Sequence, residues 1–105
     1  MPKYLVIASY TSEGIKGVMK TGGTARSAAV EKAVVGLGGT LESFHFAFGK
    51  DDAYVILDMP DDVAAAALAM AISATGLVAT RVVVLLTPNE IDDAASRNVA
   101  YLPPS

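Results

Sequence analysis

The chain has one histidine, His45, in the stretch FHFAFGKDDAYVILDMP between Phe44 and Pro60. An imidazole titrates nearer neutrality than other side chains, so beside a carboxylate it can act as a general acid or base. Four other residues offer matching chemistry. Asp52 can orient the ring, Tyr10 and Tyr54 can donate or accept hydrogen bonds, and Arg81 can hold an anion. His45, Tyr10, Asp52, Tyr54 and Arg81 therefore form the candidate ligand-binding set. Each also has a plainer role. His45 can be a partly exposed strand residue, and Asp52 can fix a hairpin by local hydrogen bonds. Arg81 can pair with Asp52 or with a neighbouring subunit, and the two tyrosines can be interface aromatics. No serine nucleophile elbow and no dinucleotide fingerprint is present, so no catalytic residue is assigned.

Other chemistries fit the sequence less well. There is no cysteine, which removes disulfides and thiolate metal sites, and a single histidine cannot build a multi-histidine centre. Lys3, Glu42, Asp58, Asp61 and Asp62 gather at the opposite end of the expected sheet, where carboxylates can bind Mg²⁺ or Ca²⁺. Helix capping already occupies Asp61 or Asp62, so neither a metal nor another cofactor is expected. The stretch KTGGT from Lys20 to Thr24 lacks the spacing of a phosphate loop.

The elements that must position these groups are marked by period and punctuation. Lys3–Tyr10 is β-rich and apolar on both faces, as in a central buried strand. Ser12 is expected to cap a helix, which Gly22-Gly23 interrupts and Thr24 caps again. Thr40 to Phe48 is expected to be one strand, with Leu41, Ser43, His45 and Ala47 on one face and Glu42, Phe44, Phe46 and Phe48 on the other. GKDD forms a turn and Asp52 to Met59 a third strand. Asp61 or Asp62 caps an alanine-rich helix that Gly76 ends. TRVVVLLT is a fourth strand, Pro88 opens a short helix, and RNVAYLPPS is an extended tail.

The order βαββαβ implies an α+β, ferredoxin-like sandwich with a four-stranded antiparallel sheet in the order 4-1-3-2 and helices on one face. At 105 residues it is one domain, spanning 1–105. Charged residues make up 18% of the chain, against a norm of roughly 25%. The first and fourth strands are apolar on both faces, and the helix after Asp62 has no charged side. A homo-oligomer is expected from this, a dimer or higher. The net charge of −3 and the scattered basic residues argue against nucleic acid. Val63 to Thr80 is chargeless but dominated by alanine and broken by Gly76, so no membrane span is expected. The amino terminus carries no signal pattern, which points to the cytoplasm.

The segments KYLVIASYTSEG, LGGTLESFHFAFGKDDAYVILDMPDDVAAAAL and VVVLLTPNEID together resemble the GYD-domain family. The resemblance implies the dimeric α/β-barrel group of ferredoxin-like folds. That group includes cofactor-independent monooxygenases, isomerases and ligand-binding regulators, and fold alone does not choose among them. It also implies a Gly-x-Tyr-Asp turn before the third strand. Gly49 and Asp52 match, while Asp51 stands at the tyrosine position. The resulting expectation is a small oligomeric protein that binds a small molecule between sheet and subunits. The alternatives are a cofactor-independent enzyme and a purely structural oligomer.

Overall fold

In the computed structural model, which describes residues 1–104, eight elements follow one another. They are β1 (Lys3–Tyr10), α1 (Ser12–Thr21), α2 (Gly23–Gly36), β2 (Thr40–Phe46), β3 (Ala53–Asp58), α3 (Asp62–Ser73), β4 (Val78–Leu85) and α4 (Pro88–Ser96). The sheet order is β2-β3-β1-β4 with every pairing antiparallel, which is the expected 4-1-3-2 read from the other edge. The fold is the α+β, ferredoxin-like arrangement.

Alternation along the central strand sorts the sheet into two faces. Tyr4, Val6 and Ala8 point toward the helices, as do their partners Leu57, Val55 and Ala53 on β3. Val30 and Val34 of α2, with Ala65 and Leu68 of α3, close over them. Tyr4, Leu57, Met59 and Val34 are the largest fully buried side chains. On the other face, Leu5 pairs with Ile56 on one side and Val83 on the other. Among the described residues no helix packs on that open face, and at the edge strand β4 the helical face is partly open as well, with Val82 and Val84 exposed.

Helix ends follow the expected chemistry, with shifts. Thr11, not Ser12, caps α1: its side chain accepts from the Gly14 amide at 3.2 Å. The Thr11 amide also donates to the Leu77 carbonyl at 2.9 Å, which holds this residue extended and leaves Ser12 to begin the helix. Gly14 is required there, because an added Cβ would lie 2.2 Å from the Leu77 oxygen. Thr24 does not cap α2. Gly22, with φ of 89°, separates the two helices, and its position leaves no side chain to cap. Asp61 caps α3, accepting from the Ala64 amide at 2.8 Å. Thr87 and Glu90 form a reciprocal capping box around Pro88 in α4.

Strand β2 departs from strict alternation. It ends at Phe46 rather than Phe48, and its register shifts between Leu41 and Ser43. The extra residue turns Leu41 toward the helices, where it packs against the core with Phe44, while Ser43 and His45 keep the open face. Helix α3 buries only Ala65 and Leu68, and Val63 and Met70 stand exposed in the single chain.

The radius of gyration is 16.5 Å, against about 13 Å for a compact chain of this length. The excess has a visible source. Helix α4 buries no residue, and Val99, Tyr101 and Leu102 beyond it are exposed. Among the described residues no helix is long and apolar enough to cross a membrane.

Candidate functional site

Three of the five candidate residues fall in one cross-strand row. His45 pairs with Tyr54, Tyr54 with Ile7, and Ile7 with Arg81. All four share the open face, so neighbouring strands set His45 and Tyr54 about 5 Å apart and put Arg81 roughly 10 Å beyond Tyr54. His45 is exposed and Tyr54 is 38% exposed, whereas Ile7 between Tyr54 and Arg81 is 8% exposed. The row therefore alternates hydrogen-bonding groups with an apolar floor. It suits a small molecule with both polar and apolar parts.

The turn before β3 supplies two carboxylates with different destinations. Asp51 crosses to the open face, where it accepts from Ser9 Oγ at 3.0 Å and pairs with Arg81 Nη2 at 3.3 Å. Its side chain is 12% exposed and that of Arg81 64%. Asp52 instead accepts from the Tyr10 amide at 2.8 Å, while its own amide donates to the Ala8 carbonyl at 2.8 Å. Arg81 thus pairs with Asp51, not Asp52. Among the described residues neither aspartate pairs with His45.

Tyr10 lies apart from the row. It pairs with Val78 and faces the helices, where the Arg26 guanidinium of α2 lies 5.8 Å from its ring centre and donates from Nε to its hydroxyl at 3.3 Å. The sequence reading did not single out Arg26. Its available signal was the spacing to Val30, four residues on, which places Arg26 near the inward stripe of α2.

At the far end of the sheet the acidic residues are each engaged. Lys3 binds Glu42 at 2.6 Å and Asp58 at 3.2 Å, and those contacts raise its pKa. The Tyr4 hydroxyl donates to Asp62, and that bond, helped by burial, pushes the phenol up to about 12. No three histidine or acidic side chains converge as metal ligands among the described residues.

A helix-backed antiparallel sheet with an uncovered apolar face and a polar row at one end defines a ferredoxin-like α+β protein. The GYD domain model matches residues 4–95, and the chain belongs to that family. Searches of curated proteins and of solved structures each gave no significant match.

Proposed function

We propose that the protein is a homodimeric binding module. Two copies bury their open sheet faces against each other, and a small molecule sits at the end where His45, Tyr54 and Arg81 stand. The observation that carries this reading is the uncovered row Ser43–Ile56–Leu5–Val83, lying beside His45–Tyr54–Ile7–Arg81. Val83 is 39% exposed in the single chain, and contiguous apolar sheet surface of this kind marks an interface.

The sheet face supplies part of the area that a second copy needs. Four strands spaced about 4.8 Å apart, with about 3.3 Å per residue, give a face on the order of 500 Å². A stable interface needs roughly 800 Å² per partner. The exposed α4 and its apolar tail provide further surface on the same chain. A two-fold arrangement would also bring two copies of the polar row to one boundary.

Light scattering at micromolar concentration should give twice the 10.8 kDa chain mass. Native mass spectrometry of the dimer should retain a small-molecule adduct that His45→Ala and Arg81→Ala both lose without losing the dimer. A monomer mass, or an adduct unchanged by both substitutions, would overturn the proposal.

A further inference from the structure

On the opposite side of the sheet, the structure contains a cleft that the dimer reading does not use. It opens between α1, α2 and the start of β4, with a volume of about 370 Å³. Gly17, Val18, Ala29 and Leu77 line it, and Tyr10 and Arg26 stand at its inner wall. The volume lies within the range of small-molecule sites, roughly 300–1,000 Å³. A separate apolar void of about 20 Å³ shares Tyr10 and Arg26 in its lining and reaches Val6 and Phe44.

Arg26 determines what such a cleft can select. The guanidinium is planar and carries five N–H donors. Nε is used on the Tyr10 hydroxyl, and that bond sets the guanidinium at the hydroxyl edge of the ring, 5.8 Å from its centre. Ion pairs among the described residues involve Lys3, Lys16, Arg81 and Arg97, not Arg26. A half-buried cation that is oriented by a tyrosine hydroxyl, and carries no carboxylate partner among the described residues, matches a planar carboxylate through its two remaining nitrogens. Apart from Thr21 the surrounding wall is apolar or glycine, so the rest of the ligand should be mainly apolar. A single positive charge compensates one negative charge, which disfavours phosphates and dicarboxylates.

We infer that the cleft binds a monocarboxylate with a short apolar or aromatic tail, its carboxylate on Arg26 and its tail against Val18, Ala29 and Leu77. The site stands independently of the dimer, because it lies on the helical side of the sheet.

The test uses benzoate as the probe and benzamide as its uncharged counterpart. Both are titrated to millimolar concentration against the ¹⁵N-labelled full chain. Benzoate should move the amide signals of residues 17, 18, 26, 29 and 77 saturably, and benzamide should bind at least about tenfold more weakly, as loss of a charge-assisted hydrogen bond entails. Arg26→Gln should weaken benzoate to a similar extent. Gly17→Leu should also weaken binding, since Gly17 lines the cleft and an added Cβ there meets nothing within 4 Å. Benzoate that does not saturate, that binds no better than benzamide, or that shifts the His45 and Tyr54 face instead would overturn the assignment. The comparison between the two probes needs only the wild-type protein, so it decides even if a variant folds poorly.

Discussion

Val83→Asp tests the proposed dimer directly. Val83 lies on the open face beside Leu5, at an edge strand and 39% exposed, so an aspartate there should still fold. Its low strand propensity costs about 1 kcal/mol in the subunit. In the dimer the balance is different. Full burial of a valine is worth about 1.5–3 kcal/mol, and roughly two-fifths of it remains to be gained, about 1 kcal/mol per copy. Replacing that gain with a buried, unpaired carboxylate adds a desolvation penalty of several kcal/mol per ion, and symmetry counts the change twice. Even with Arg81 close enough to offset part of the charge, a net loss of at least about 4 kcal/mol remains, or ~1,000-fold in dissociation constant. Sedimentation velocity from nanomolar to micromolar concentration should show the variant as a monomer with far-ultraviolet circular dichroism like wild type. Val83→Ala should remain a dimer. If Val83→Asp dissociates at the same concentration as wild type, the open face is not the interface.

Deleting residues 97–105 should lower the assembled mass at fixed concentration more than it changes secondary structure, because Val99, Tyr101 and Leu102 are exposed in the single chain. Tyr4 is held protonated by Asp62, so its contribution to stability is complete below pH 10.0 and is lost as pH rises toward about 12. A spectrophotometric titration of wild type minus Tyr4→Phe should show that one late-ionising phenol, and the variant should show a shallower alkaline loss of stability. Gly39→Ala should destabilise by about 1–3 kcal/mol in chemical denaturation, since its Cβ would lie 2.5 Å from both the Asp58 oxygen and Met59 Sδ; Gly36→Ala, which meets nothing within 4 Å, should not destabilise. Asp52→Ala leaves the Tyr10 amide without its acceptor and should cost about 1–3 kcal/mol, whereas Asp51→Ala, whose partners are the mostly exposed Arg81 and a Ser9 hydroxyl that can turn to another acceptor, should cost less, about 1 kcal/mol. Equal denaturation midpoints for the two aspartate variants would refute that division of roles.

The fold was legible because the sequence marks its elements twice, by period and by punctuation. Lys3–Tyr10 and TRVVVLLT read as strands from β-branched and apolar density, although the fourth strand begins at Val78 and ends at Leu85, because Thr87 caps α4; Gly22, Gly38 and Gly76 adopt positive φ at helix boundaries. Exact caps were less legible because Thr11 and Ser12 are adjacent hydroxyls of nearly equal capping strength. The Leu77 carbonyl, distant in sequence, settles which of them stays extended. The bulge between Leu41 and Ser43 was hidden for a similar reason. Alternation predicts which face a residue takes only while the register is unbroken, and the register belongs to the partner strand β3.

The candidate site was half legible, and parity explains which half. The strand ends that carry His45, Tyr54 and Arg81 do meet, because topology fixes which ends share a rim. Topology alone does not say which side of the rim each residue occupies. That depends on counting from a known pair, and Ile7 opposite Arg81 puts Tyr10, three residues along, on the other face. Arg26 was less accessible still, since the azimuth of α2 is set by Val30 and Val34 packing into the core rather than by any local motif. The same parity divides the turn: adjacent residues of extended chain project oppositely, so Asp51 reaches Ser9 and Arg81 while Asp52 secures the end of β1 at Tyr10. Asp51 is therefore the carboxylate that holds the open-face arginine. Chemistry on that face must compete with Asp51 for Arg81, whereas Arg26 on the helical face has no such competitor among the described residues.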